Sequence, residues 1–257
     1  MLELRQIELR VATLTRSIDF YQRQLGFAVA GTSGNQAELS VAPGAPALLT
    51  LVEAPSAPRP PADAAGLFHA ALLLPTRAAL GGWLKHAAET GVEFDGFSDH
   101  GVSEAIYLRD PDGNGLEFYA DRPRDTWPRH NGEIAMGTAP LHLPGLLQAS
   151  KAFQVTPTEG GRWGHLHLRI TELERSTAFY STTLGVSVTQ RSYPGARFLA
   201  ADGYHHHLGL NTWGNPRQPQ PESALGLVQA TFAVPGTRAP RSVQDPDGIA
   251  IQLVPAS

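Results

Sequence analysis

Apolar and polar residues alternate through Gln6-Ile7-Glu8-Leu9-Arg10-Val11 and again through His165-Leu166-His167-Leu168-Arg169-Ile170. A period of two is the mark of a half-buried β-strand. Each run is followed by a polar break and a segment with the helical period. The first is Leu14-Thr15-Arg16-Ser17-Ile18-Asp19-Phe20-Tyr21, closing at Leu25-Gly26. The second is Leu173-Glu174-Arg175-Ser176-Thr177-Ala178-Phe179-Tyr180, closing at Leu184-Gly185. Mostly apolar i, i+4 and i+7 positions turn one helix face to a sheet, and the glycine after Leu stops the helix. Further strand patterns follow in both copies, so the chain carries an internal repeat.

A second pair of matches extends it. Phe68-His69-Ala70-Ala71-Leu72-Leu73-Leu74-Pro75 parallels Val228-Gln229-Ala230-Thr231-Phe232-Ala233-Val234-Pro235, and Asp110-Pro111-Asp112-Gly113 parallels Asp245-Pro246-Asp247-Gly248. Each tetrapeptide reads as a turn feeding a last strand. Four modules result, at 4–53, 66–121, 163–214 and 226–254, separated by a Pro-rich stretch at 54–61, a connector at 122–162 and a Pro- and Gln-rich stretch at 215–221. In module two, 35 positions separate Pro75 from Asp110, and a helix is expected over 77–90 with Trp83 and Phe94 packed beneath it. In module four only 10 separate Pro235 from Asp245, too few for a helix and two strands, so that copy is truncated.

Composition narrows the function. At 42% hydrophobic and 17% charged the chain is globular. Its net charge of −4, without any Lys/Arg-rich run, argues against a nucleic-acid partner. No stretch is apolar for long enough to span a membrane, and the N-terminus lacks the pattern of a signal peptide. The absence of Cys removes disulfides, thiolate metal sites and a Cys nucleophile, and fits a cytoplasmic protein. The 10 His residues are the feature left to explain.

The stretches 67–75, 103–117 and 119–124 and the run Gly203-Tyr204-His205-His206-His207-Leu208-Gly209-Leu210-Asn211 resemble the vicinal-oxygen-chelate superfamily, which holds glyoxalase I, bleomycin-resistance proteins and extradiol dioxygenases, and within it the catechol 2,3-dioxygenases of the Bacillus type. The resemblance runs nearly end to end and is weakest in module four. It implies an α+β fold of four βαβββ modules, the glyoxalase/bleomycin-resistance/extradiol dioxygenase fold, with modules one and two in 1–121 and modules three and four in 163–257. It also implies that metal ligands stand on first and last strands of paired modules.

On the matching positions this resemblance implies His69, His165 and Glu117 as metal ligands, while modules one and four offer only Gln6, Gln229 and Gln252. A complete two-His, one-carboxylate set arises only if module two shares a cup with module three, a pairing the ligand set favours over the sequential one. Such a set suits Fe(II), with Mn(II) as the alternative. The resemblance further implies Tyr107, ten residues before Glu117, as a hydrogen-bonding partner of substrate oxygen, and His100 upstream of it for proton transfer. One member of the His205-His206-His207 run would serve beside them. Alternation in a strand would turn His205 and His207 one way and His206 the other. His206 is the candidate, with the face left open. His167 shares the strand face of His165. His86, His130 and His142 read as structural or exposed. The connector reads as a surface link carrying Arg122, Arg124 and Arg129, with a cap over one cup as the alternative. The turn at 110–115 lacks an EF-hand's closing Glu and is expected to aim Glu117.

The reading expected from this resemblance is an Fe(II)-dependent extradiol dioxygenase acting on a small aromatic diol with O2; a homo-oligomer is left open. Two rivals remain: another metal enzyme on the same scaffold, such as an isomerase or thiol transferase, and a non-catalytic small-molecule-binding protein.

Overall fold

Hydrogen bonding gathers the long strands into two large sheets whose order departs from chain order. The computed structural model describes residues 1–150 and 157–256; part of the connector, at 151–156, lies outside them. One sheet has seven strands, in the order Arg241–Gln244, Ala250–Pro255, Gly226–Val234, Glu3–Val11, Leu49–Glu53, Gln36–Ser40 and Ala28–Ser33. It therefore joins the first and last repeats. The other has nine strands, in the order Ala139–Pro140, Phe94–Asp99, Ser103–Arg109, Gly115–Asp121, Gly66–Leu73, Arg162–Arg169, Leu208–Asn211, Ala196–Ala200 and Ser187–Gln190. It joins the two middle repeats.

In each sheet the two halves meet through their first strands, which run antiparallel. Gly66–Leu73 pairs with Arg162–Arg169, with Ala71 opposite His165 and His69 opposite His167. Glu3–Val11 pairs with Gly226–Val234 in the same manner. Within a module the first and last strands are parallel, so Ala71 lies beside Glu117, and Glu117 lies opposite Tyr107 on the strand Ser103–Arg109. Paired residues share a face of a pleated sheet. Tyr107, Glu117, His69, His165 and His167 thus face one side of the nine-stranded sheet.

The other side carries the core. Leu72, Ile106, Phe118, Leu166, Leu168 and Leu210 are buried there in a cluster that also takes Ile7, Leu9, Leu49, Phe232 and Ile251 from the seven-stranded sheet. The helices of the first three repeats cover these sheets. Arg77–Glu89 is capped by Thr76, whose hydroxyl accepts from the Ala79 amide, and it buries Trp83, whose ring lies 3.8 Å from Phe118 at 9°. Leu173–Leu184 is capped by the Glu172 carboxylate and stopped by Gly185 at φ +69°. The helix of module one is irregular, with α geometry over Leu14–Asp19 and a wider π turn over Phe20–Gln24. Module four passes from Val234 to Arg241 through a turn, with no helix.

Sequential modules are clamped by the Asp-Pro-Asp-Gly turns. Tyr21 in the helix of module one donates to Asp110 of module two at 3.1 Å, and the Ala12 amide and Arg16 donate to Asp112. The same contacts recur one repeat pair later. Tyr180 donates to Asp245 at 2.9 Å, and Thr171 and Arg175 donate to Asp247. No helix among the described residues is long and apolar enough to cross a membrane.

Candidate metal centre and cavity

Three donor atoms converge where the middle repeats meet. Nε2 of His69 lies 3.0 Å from Oε2 of Glu117, and Nε2 of His165 lies 3.3 Å from the same oxygen. All three ligand atoms fall within 4.8 Å of one another, and all three residues are buried. Strand register explains the convergence. Glu117 and His165 flank Ala71 from opposite sides, and His69 stands two residues before Ala71 on the same face. Gly115 lets the two carrier strands of module two approach, since a Cβ there would stand 2.0 Å from the Phe68 carbonyl oxygen.

These donors fit a cation. Neither His69 Nε2 nor His165 Nε2 has a hydrogen-bond partner, although both are buried. A buried imidazole nitrogen left unpaired is costly, and a metal ion satisfies it. Burial pushes the pKa of His165 down to about 4, against the opposing pull of Glu117, so the ring is neutral and its lone pair free. Burial alone would raise Glu117, but His165 and His69 beside it hold its pKa well below the usual range, so it stays ionised. Two imidazoles and one carboxylate leave the cavity side of such an ion open. The His165 ring is oriented by packing, with His206 at 4.0 Å and Tyr119 at 5.0 Å between ring centres.

The open side is a cavity of about 260 Å³. His69, Glu117 and His165 form its floor, and His100, Tyr107 and His206 also line it. His100 Nδ1 lies 2.6 Å from the Gly137 carbonyl oxygen, which can only accept, so Nδ1 carries the proton and Nε2 accepts from the Tyr107 hydroxyl at 2.7 Å. Burial, reinforced by the Glu117 charge, pushes the Tyr107 pKa well up and keeps it a phenol.

His206 gains its orientation from a chain behind it. His205 Nε2 donates to Asp121 at 2.8 Å, which leaves His205 Nδ1 as an acceptor for His206 Nδ1 at 2.7 Å. His206 Nε2 is then the unprotonated atom. Burial and the neighbouring His165 and His205 hold the His206 pKa well down. The His triplet sits in a bend ahead of the strand Leu208–Asn211, not in a strand as alternation suggested. Of the three only His206 lines the cavity; His205 is fully buried behind it, and His207 accepts from the Ala201 amide.

The connector is more than a surface link. Met136, Gly137 and Thr138 line the cavity, Gln190 donates to the Met136 carbonyl, and Thr138 and Tyr193 meet through their hydroxyls at 3.0 Å. Nothing in its local sequence sets it apart from an ordinary loop. Of the remaining His residues, His86 meets the Arg23 carbonyl oxygen while His130 and His142 are exposed. Gln6 donates to Thr50, and Gln252 accepts from Ser242, so these amides of the seven-stranded sheet are satisfied by neighbours.

The fold and this constellation define a class, and the chain belongs to it: residues 3–118 and 162–235 match the family model of the Glyoxalase/Bleomycin resistance protein/Dioxygenase superfamily. The chain is 43% identical over 234 residues to a catechol-2,3-dioxygenase of Bacillus subtilis strain 168, covering 89% of this chain and 81% of that protein. Its fold matches the crystal structure of a putative dioxygenase from Bacillus subtilis, with TM-score 0.66 at 11% identity over 98% of this chain and 84% of that one. It also matches glyoxalase I from Zea mays, with TM-score 0.61 at 16% identity over 99% and 92%. At such identities the last two speak for the fold alone.

Proposed function

We propose that this protein is an extradiol dioxygenase that opens a catechol-like ring with O2, using Fe(II), or Mn(II) in its place, held by His69, His165 and Glu117. The observation that carries the reading is the buried pair of unpaired imidazole nitrogens facing one carboxylate oxygen on the floor of a cavity. The 43% identity to a catechol-2,3-dioxygenase supports it. The functional unit is the pair of middle modules; modules one and four serve as scaffold.

Held by His69, His165 and Glu117, Fe(II) would supply Lewis acidity that eases ionisation of the catechol hydroxyls and a route by which electrons of the ring reach O2. The protein does the rest. Nε2 of His206 is free to take a hydroxyl proton, and its low basicity lets it return that proton. Tyr107 spends its own proton on His100 and keeps lone pairs for a substrate hydroxyl. The aromatic and apolar side chains of Phe68, Phe198, Trp213 and Met136 stack on the ring and exclude water. No Lys or Arg lines the cavity among the described residues, which suits an uncharged diol. The chain's lack of Cys accords with a cytoplasmic setting.

The test is anaerobic loading with Fe(II), then catechol and O2. One metal per chain, equal consumption of O2 and catechol, and a ring-opened product are expected. His69→Ala or Glu117→Ala should lower metal affinity at least tenfold and abolish ring opening. A wild-type protein that binds Fe(II) at this site and leaves catechol intact would sink the proposal.

A further inference from the structure

His167 stands in the cavity wall with a role that the metal centre does not explain. It is buried, at 4% exposure, and its ring packs flat on Gly209, where a Cβ would stand 2.8 Å from Cγ and Cδ2. Around it are Phe68 at 5.0 Å, Trp213 at 5.5 Å and Phe198 at 5.8 Å between ring centres, most of them edge-on. Its orientation is fixed as well as its place. Asn211, fully buried, accepts the Trp213 amide on Oδ1 at 3.0 Å, which turns Nδ2 towards His167 Nε2, also at 3.0 Å. An amide nitrogen can only donate, so Nε2 holds a lone pair and Nδ1 holds the proton.

That Nδ1–H has no acceptor among the described residues, and it is not one of the buried atoms sealed from space. His167 lines the cavity above the candidate metal centre. A donor locked in direction by a second residue, and left unpaired at a binding cavity, is built to meet an acceptor on a ligand. It stands among aromatic rings beside His69, whose ring centre lies 4.8 Å away.

We propose that His167 is a specificity-determining residue whose Nδ1–H donates to an uncharged oxygen substituent, a hydroxyl, ether or carbonyl, on a single-ring catechol. This rests on the dioxygenase reading and adds the substituent to it. The volume of about 260 Å³ holds one substituted ring, and the absence of Lys and Arg from the lining argues against a carboxylate.

The experiment compares catechol, 3-methylcatechol and 3-methoxycatechol in the wild type, in His167→Phe and in His167→Gln. The quantity read is the ratio of kcat/KM for the methoxy over the methyl compound. Because it is taken within one protein, incomplete folding or metal loading cancels. The wild type should favour the methoxy compound about fivefold, the worth of one hydrogen bond. His167→Phe should bring the ratio to about one, and His167→Gln, which keeps an N–H, should restore part of it. Dissociation constants for the same compounds, from anaerobic quenching of tryptophan fluorescence, give the ratio without turnover. A wild-type ratio of one, or an unchanged ratio in His167→Phe, overturns the inference while leaving the dioxygenase reading intact. Binding discrimination that depends on His167 in a protein that cleaves no catechol would sink the activity and keep the donor.

Discussion

Asp121 does not line the cavity, yet two hydrogen bonds connect it to His206. It accepts from His205 Nε2 and from the Tyr204 hydroxyl, and His205 in turn accepts from His206. The carboxylate thereby decides which nitrogen of His206 faces the cavity without a proton. Replacing it by Asn weakens the acceptor and removes the charge that fixes His205. Asp121→Asn should lower kcat for ring opening on the order of tenfold with little change in KM, while Fe(II) binding stays as in the wild type. An equal kcat would show that the His206 tautomer has no part in turnover. At this scale the candidate metal ligands were legible through the family resemblance, which marks the positions where the middle repeats hold His and Glu and the outer ones hold Gln. The Asp121 connection was not, since it spans 84 positions and no local pattern announces it.

The elements show why sequential and cross-paired modules coexist. The Asp-Pro-Asp-Gly turn ties each even-numbered module to the helix before it, through Tyr21 to Asp110 and Tyr180 to Asp245. The sheets tie module two to three and one to four. Each turn also leads directly into a last strand, and in module two that strand carries Glu117. Gly115 sets its distance from the strand carrying His69. Gly115→Ala should force these strands apart, lowering stability by about 1–3 kcal/mol and Fe(II) affinity by about tenfold or more. Gly96→Ala, where a Cβ meets nothing within 4 Å, is the control and should leave both unchanged. Denaturant unfolding and metal titration of the two variants decide it.

For the whole molecule, burying this many imidazoles has a thermodynamic consequence. Burial lowers the pKa of His165 and His207 to about 4 and those of His167 and His206 well below the usual value. Below pH 6.5 the unfolded chain takes up protons that these rings refuse in the folded state, so stability falls as the pH drops towards 4. Asp245 works the other way: burial raises it to about 6, so between 3.8 and 6 the folded state holds a proton that the unfolded chain releases. Four rings outweigh it. For His165 and His207 the loss at pH 5 is on the order of 2 kcal/mol each. Urea unfolding of the metal-free protein should therefore show a clearly lower midpoint at pH 5 than at pH 7. Equal midpoints would mean that these histidines are not buried neutral.

What the sequence determined by itself is local or repeated. Alternation and helical spacing place strands and helices because a strand or an amphipathic helix is set by its own neighbours in the chain. The repeat itself and the missing helix of module four follow from comparing one copy with another, while the candidate ligands follow from the family resemblance laid on the matching positions. Which strand sits beside which is different. Every exposed strand edge offers the same amide and carbonyl groups, and only the packing of side chains from distant segments selects a partner. The tertiary structure alone sets the register that places His165 opposite Ala71, bends the His triplet so that His206 enters the cavity, brings Met136, Gly137 and Thr138 over it, and lays Asn211 against His167. Each of these is a contact between residues far apart in the chain, decided by the three-dimensional fit of whole elements.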